Sequence, residues 1–196
     1  MSIEPLTPLD RLIQDKLNKS YIEKGEELGR IIARGGDTVV YGGGAGGMMG
    51  AVARGARSEN GDVIGVSPSF FKVDGSLYEN CTEFVYTDTM RQRKEILETR
   101  SEGFIVTPGG VGTMDEFFEI FTLRQLDKHQ KPIAIFNING FYDELIEMLE
   151  HTIREKFMTP ENRNLWFESD NPEEILDYIK TYVPKKIKLS ELKDIK

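Results

Sequence analysis

The chain of 196 residues is 39% hydrophobic, which is enough for one compact domain with a sizeable core. Its formal net charge of −8 argues against nucleic acid or an anionic membrane as a partner. Cys81 is the only cysteine and the two histidines lie far apart, so neither an internal disulfide nor a metal site is expected. Because the sequence has no signal-peptide pattern and no apolar run of membrane-spanning length, we expect a cytoplasmic protein.

Helical patterns alternate with short β-branched or aromatic runs along the chain. A helix is predicted over about residues 8–34, and a charged tail over about 184–196. Strands are predicted at 38–41, 63–66, 84–87, 104–107, 132–137 and 165–168, and helices at 46–58, 90–102, 114–127, 142–156 and 172–182. This alternation predicts a single Rossmann-like α/β domain over residues 1–196, with a doubly wound, mainly parallel sheet and helices on both faces.

A first glycine-rich loop, at residues 42–47, lies between a predicted strand and helix. Gly42, Gly44 and Gly47 match the dinucleotide-binding fingerprint, which is a weak signal alone. An NAD site also needs an acidic residue at the carboxyl end of the next strand, whereas Asp62 precedes that strand. Two interpretations stay open. The glycines either allow close strand–helix packing or form the floor of a ligand crevice.

Three cations, Arg91, Arg93 and Lys94, stand at the start of the predicted helix 90–102. Such a group usually forms a solvated helix face. This helix, however, begins at the carboxyl edge of the predicted sheet, where an arginine can bind phosphate or orient a carboxylate. Arg91 and Lys94 share a helix face and Arg93 points elsewhere, so the three need not have one role.

The second glycine-rich loop, at residues 108–113, is the most informative segment. It follows the strand 104–107 and leads into a helix, so backbone N–H groups and the helix dipole favour an anion there. Glu116, one turn into the helix, would repel a phosphate and is better suited to an uncharged part of a phosphorylated ligand. The same residues also fit a capping box, with Thr113 as N-cap and Glu116 reaching back to it.

The helix after this loop has an apolar stripe at Met114, Phe117, Phe118 and Phe121, which predicts the face that packs on the sheet. His129 lies between lysines and is expected on the surface. Neither it nor the lone cysteine has a sequence context that indicates catalysis.

Together, these motifs resemble the LONELY GUY (LOG) family, the cytokinin riboside 5′-monophosphate phosphoribohydrolases, over roughly residues 38–150. The family's PGGxGTxxE corresponds to residues 108–116, and its YGGGxxGLMG to 41–50 with Met48 in place of leucine. Its MxxRK corresponds to Met90, Arg93 and Lys94. Residues 131–132 and 136–142 are similar to its KPV…LNVDGYY.

The sequence departs from the family at two places. No strand ending in a GSS-like turn is recognisable before Leu28, and Arg91 stands where the family has a histidine. Proteins of this kind are often labelled lysine decarboxylases, but no pyridoxal-lysine motif is present.

The resemblance implies that Arg93 and Glu116 form the catalytic pair. The substrate- and phosphate-binding residues that it implies are Gly43, Gly44, Met90, Arg93, Lys94, Gly109, Gly110, Val111, Gly112, Thr113, Met114, Asp115 and Thr122. It further implies a nucleotide substrate, no metal or other cofactor, and a homodimer whose helices help to complete the site.

The implied reaction hydrolyses the N-glycosidic bond of a purine nucleoside 5′-monophosphate to the free base and ribose 5-phosphate. Adenine or an N6-modified adenine is the expected base. Glu116 would stabilise the positive charge that develops on the ribose, and Arg93 would keep that carboxylate ionised. The alternative is a non-catalytic nucleotide-binding or sensing module on the same fold, which would need the glycines but not the pair.

Overall fold

The computed structural model describes residues 2–6, 19–73 and 75–184. Its described strands are β1 (Ser2–Leu6), β2 (Thr38–Tyr41), β3 (Val63–Pro68), β4 (Glu83–Thr87), β5 (Gly103–Val106), β6 (Ile133–Phe136) and β7 (Phe167–Ser169). They form one sheet in the order β4-β3-β2-β1-β5-β6-β7, and each neighbouring pair is parallel. The strand order reverses direction beside β1, and ligands of such sheets bind at the carboxyl ends of the strands around this point.

The described α-helices are α1 (Lys19–Arg34), α2 (Gly47–Ser58), α3 (Met90–Arg100), α4 (Val111–Gln125), α5 (Asp143–Arg154) and α6 (Pro172–Thr181). Short 3₁₀ turns lie at Ser69–Phe71, Ile138–Gly140 and Pro160–Leu165. Among the described residues, none of the helices is both long and apolar enough to cross a membrane.

Helices cover both faces of the sheet, and side chains of β5 pack against the helices on each face. Phe104 and Val106 pack with α4 and α5, whereas Ile105 packs on the opposite side with α1, α2 and α6. Leu97 of α3 packs with β2 and β3 on the α4 side. Strands buried on both faces are continuous apolar runs, and such runs allowed this part of the sheet to be predicted from the sequence. The predicted doubly wound, parallel α/β fold is confirmed.

The sequence prediction was wrong in finding no strand before Leu28. Ser2–Leu6 is β1, and it pairs with both β2 and β5 at the centre of the sheet. Its sequence contains a glutamate and a proline, both depleted in strands, so propensity gave little signal. Residues 7–18, which include the first part of the helix predicted over 8–34, lie outside the described chain, as do residues 185–196 of the predicted tail.

Two predictions about side-chain placement were also wrong. His129 is buried, and its Nε2 hydrogen-bonds the Ile120 carbonyl at 2.8 Å. Burial lowers the pKa of His129 to about 4. Phe118, predicted in the packing stripe of α4, is 37% exposed, whereas Phe117 and Phe121 are buried. Phe118 falls outside the i, i+3, i+4 pattern on which α4 actually packs.

Candidate active site

The loop between β5 and α4 ends earlier than the sequence suggested. Helix α4 begins at Val111 with Gly110 as its N-cap, and no side chain caps it. Met114 N donates to the Gly110 carbonyl at 3.2 Å, so the three preceding N–H groups have no acceptor within the helix. These groups point out of the positive end of the helix dipole, which favours an anion.

Thr113 lies inside this first turn rather than at the N-cap, so the capping-box interpretation was wrong. Its side chain is fully buried. Within the part of the chain that the structure describes, its Oγ1 has no hydrogen-bond partner. A buried hydroxyl without a partner is costly, and it lies here among N–H groups suited to an anion. The loop therefore combines backbone donors with one hydroxyl donor.

Glu116 reaches across to α3 and forms an ion pair with Arg93. The Arg93 Nη1 donates to Glu116 Oε1, and the two side chains are only 2% and 7% exposed. The Arg93 Nε also donates to the Val66 carbonyl at 3.2 Å, which fixes the guanidinium against the carboxyl end of β3. Arg93 is thus held between the sheet edge and α4, and it orients the carboxylate.

The environment of Glu116 affects its proton affinity in two opposing ways. Burial raises the pKa of the Glu116 carboxyl above its usual value, and the Arg93 guanidinium opposes this shift. Asp115 raises the pKa further and Lys94 lowers it. A buried carboxyl with a raised pKa and one fixed cationic partner is the arrangement expected of an acid–base or charge-stabilising group.

Gly42, in the first glycine-rich loop, makes room for this pair. A Cβ atom at Gly42 would lie 2.1 Å from the Arg93 Nη2. Gly42 is part of the dinucleotide fingerprint, which predicted no role for it at the pair. No sequence pattern could have revealed this contact, because it joins the end of β2 to a side chain of α3.

Gly43 and Gly44 of that loop pack against protein atoms. Gly43 has φ +79°, and a Cβ there would lie 2.6 Å from the Phe84 ring, while one at Gly44 would lie 2.4 Å from the Met49 methyl group. Gly43 O accepts from Tyr78 N at 2.9 Å, and Ala45 N donates to the Ser76 carbonyl at 3.0 Å. These contacts support the packing interpretation, and a substrate contact by Gly43 or Gly44 stays a prediction.

Lys94 joins α3 to α4. Its Nζ lies 3.1 Å from Asp115 Oδ2 and 2.5 Å from Glu119 Oε2. Met90 and Met114 are half-buried and lie in the first turns of α3 and α4, respectively. Arg91 is exposed, in keeping with a solvated helix face for that cation.

Thr122 is exposed on α4, two turns beyond Asp115. It shares its helix face with three exposed apolar residues, Val111, Phe118 and Leu126. The structure therefore places Thr122 on an outward face of α4 rather than beside the buried pair. Among residues 2–6, 19–73 and 75–184, no group of three or more His, Cys, Asp or Glu side chains is placed to hold a metal ion.

Comparison with known proteins agrees with these features. A family described as "possible lysine decarboxylase" matches residues 49–179. A cytokinin riboside 5′-monophosphate phosphoribohydrolase of Rhodococcoides fascians is 39% identical over 145 residues, covering 74% of this chain and 73% of that protein. One of Arabidopsis thaliana is 30% identical over 166 residues, covering 85% and 78%.

The solved structure of a molybdenum cofactor binding protein from Rippkaea orientalis matches with a TM-score of 0.68 and 22% identity, over 92% of this chain and 95% of that one. At that identity, the likeness establishes the shared Rossmann-like fold alone. The sequence matches extend over most of the chain and are much stronger. The chain therefore belongs to the LONELY GUY family of phosphoribohydrolases, which are N-glycosyl hydrolases, as its motifs predicted.

Proposed function

We propose that this protein hydrolyses the N-glycosidic bond of a purine nucleoside 5′-monophosphate, releasing the free base and ribose 5-phosphate. The base is adenine or an N6-modified adenine. The observation that carries the proposal is the buried Arg93–Glu116 pair at the carboxyl edge of the sheet, next in the chain to an uncapped helix N-terminus. A phosphate-binding loop alone would need no such pair.

The 5′-phosphate binds at the start of α4. The free N–H groups of Val111, Gly112 and Thr113 donate to its oxygens, and the buried Thr113 hydroxyl supplies a further donor. This binding is remote from the bond that breaks, and it positions the ribose against the carboxylate one turn further along the helix. The nucleoside without its phosphate should therefore be a much poorer substrate.

Glu116 acts on the ribose. As the bond to the base lengthens, positive charge grows on C1′ and O4′, and a fixed carboxylate nearby stabilises it. The same carboxylate orients a water molecule for attack at C1′ and accepts its proton. Arg93 keeps Glu116 ionised and aimed, since its guanidinium donates both to that carboxylate and to the Val66 carbonyl.

Lys94 and Asp115 complete the entrance rather than the reacting centre. Their ion pair, with Glu119 as a second partner of Lys94, links the first turns of α3 and α4. The Lys94 side chain is 21% exposed, so a phosphate that approaches the start of α4 can meet its ammonium group. We assign it to attraction of the substrate.

We also propose a homodimer that uses the outward face of α4. Val111 is 87% exposed, and Phe118 and Leu126 are 37% and 42% exposed on the same face. Apolar side chains gathered on one helix face indicate a contact surface. Thr122 lies among these residues. A second copy that docks on this face would therefore bring its active site close to Thr122 of the first copy. Sedimentation equilibrium at micromolar concentration tests the association.

The test of the reaction is incubation of the protein with AMP and with N6-prenyl-AMP, followed by chromatography. Base and ribose 5-phosphate should appear in equal amounts, and EDTA should not prevent it. Release of inorganic phosphate with the nucleoside left intact would identify a phosphatase and refute the proposal. Binding of AMP without turnover would instead identify a nucleotide-binding module.

A further inference from the structure

Tyr142 closes the motif at residues 136–142, to which the proposed reaction gives no role. It is the residue before α5, and its side chain is 1% exposed. The ring belongs to the apolar cluster between the sheet and α4 and α5, and it packs edge-on against Phe141 with centroids 4.9 Å apart. A tyrosine buried so deeply needs a partner for its hydroxyl.

That partner lies at the start of the loop between β5 and α4. The Tyr142 hydroxyl donates to the Thr107 carbonyl at 2.6 Å. Thr107 lies between the end of β5 and Pro108, which has no N–H of its own. The hydroxyl therefore bonds to the chain just where it leaves β5 and turns towards α4.

The hydroxyl stays protonated at all ordinary pH values. Burial raises the pKa of Tyr142 above its usual value, and the nearby Gly109 backbone opposes this only in part. The group therefore keeps the proton that it donates to the Thr107 carbonyl.

The preceding turn holds Tyr142 in place. Asn137 Oδ1 accepts from Tyr142 N at 2.7 Å, and Asn137 Nδ2 donates to Asp143 Oδ1 at 2.7 Å. Gly140 has φ +70°, a conformation that favours glycine, and a Cβ there would lie 2.6 Å from Asp143 Oδ2. The asparagine and glycine of the motif therefore fix the direction from which the tyrosine enters the core.

We propose that Tyr142 is a positioning residue for the phosphate loop. By holding Thr107 next to Pro108, it keeps the free N–H groups at the start of α4 aimed at the 5′-phosphate. It acts through the loop and does not touch the substrate. The inference rests on the proposed function in one respect, namely that this loop is the phosphate site.

The experiment compares Tyr142→Phe with the full-length wild-type protein. This change removes one hydroxyl and keeps the buried ring. The matched control is Tyr178→Phe, which removes the hydroxyl of a partly buried tyrosine on α6, a helix on the opposite face of the sheet. Binding of inorganic phosphate and of ribose 5-phosphate is measured by calorimetric titration, and turnover of AMP by chromatography.

We expect Tyr142→Phe to bind both anions roughly tenfold more weakly, as for the loss of one buried hydrogen bond that orients a site. KM for AMP should rise by a similar factor while kcat is retained, because the loss affects binding of the phosphate. Tyr178→Phe should behave as wild type in all three measurements.

Each other result has a defined meaning. A Tyr142→Phe protein that melts earlier but binds phosphate as wild type would show a purely structural tyrosine and overturn the inference. A fall in kcat with unchanged phosphate affinity would overturn it too, as would a wild-type protein that binds neither anion. A wild-type protein that binds phosphate but does not cleave AMP would remove the proposed function and leave the role of Tyr142 to be decided by the titrations.

Discussion

The two glycine-rich loops of this protein have similar composition and similar positions, but their surroundings differ. Each follows a parallel strand and leads into a helix at the carboxyl edge of the sheet. In the loop after β2, main-chain groups of Gly43 and Ala45 bond to a neighbouring segment, and side chains fill the space beside the glycines. In the loop after β5, the helix has no side-chain cap, and the buried Thr113 hydroxyl is unpartnered within the described chain.

Glycine content alone therefore does not distinguish the proposed anion site after β5 from the packing site after β2. Because glycine has no side chain, its backbone can closely approach either other protein atoms or a ligand, and the surrounding atoms determine which of the two it contacts. After β2, the neighbours are Met49, Phe84 and the Arg93 guanidinium. After β5, the distinguishing features are polar groups left without partners. Mutations that act on one loop and spare the other therefore test whether the two loops differ in function.

The largest effect is expected from Glu116→Gln on the β5 side. Glutamine keeps the shape and still accepts a hydrogen bond from Arg93, but it removes the charge that would stabilise the ribose cation. We expect kcat for AMP to fall roughly 100-fold or more, with AMP binding largely intact. The measurement is single-turnover kinetics beside equilibrium binding.

Glu119→Gln is the matched control, since it is a neutralised carboxylate on the same helix that pairs with Lys94. It should retain most of its activity. If Glu116→Gln were fully active, the enzyme assignment of this pair would be lost, and a nucleotide-binding module would be favoured.

On the β2 side, Gly42→Ala should affect activity through Arg93. The new methyl group would occupy the position of the guanidinium, which lies at the end of a flexible side chain and can move without unfolding the protein. Because Arg93 would then no longer orient the Glu116 carboxylate, we expect kcat/KM to fall roughly 10- to 100-fold. The measurement is kcat/KM for AMP together with a thermal melt.

Gly35→Ala provides the comparison for that substitution. Its Cβ would likewise meet the end of a flexible side chain, 2.6 Å from the Lys180 Nζ, but at the end of α1 and not at the carboxyl edge. It should change stability and not turnover. Equal losses of activity in the two variants would mean that Gly42 matters only for folding.

Thr113→Val should produce a smaller effect that is confined to phosphate binding. Valine has nearly the same shape, so the core around the first turn of α4 is kept. Removing a buried hydroxyl that has no protein partner should leave stability unchanged or raise it by up to about 1 kcal/mol. Affinity for ribose 5-phosphate should fall roughly tenfold if the hydroxyl donates to the phosphate. A destabilised variant with unaltered affinity would contradict that assignment and indicate a structural hydroxyl.

Much of the fold was accessible from the sequence, because the central strands are short apolar runs separated by helices with clear periodicity. The ranges predicted for β2 and the start of β3 match those of the structure. The exception is β1, where pairing on both sides determines the strand and the local sequence does not. Tertiary burial likewise decided the place of His129, whose neighbours in sequence are lysines but whose ring lies beside Phe104.

The candidate site was predictable as a set of motifs and not as a geometry. The sequence indicated Arg93 and Glu116 through a resemblance. The structure brings these two residues, which are 23 positions apart in the chain, into contact between α3 and α4. The sequence could not show that Gly42 abuts Arg93 or that the Tyr142 hydroxyl bonds to the Thr107 carbonyl. Both contacts join segments far apart in the chain, so neither has a spacing that a sequence pattern would reveal.

The smallest expected effect is a shift in the pH profile, and it tests the coupling between the two loops through Arg93. The proposed reaction needs Glu116 ionised, so kcat/KM should fall as pH drops through the pKa of that carboxyl. Burial raises this pKa above 4.5, the value of an ordinary glutamate, and the acid limb should therefore lie above that pH. Arg93 opposes the shift, so the residual activity of Arg93→Gln should show its acid limb at a still higher pH. Arg91→Gln, which removes an exposed cation two positions away, should leave the limb where it is in wild type. An acid limb that moves to lower pH in Arg93→Gln would mean that a group other than Glu116 controls it.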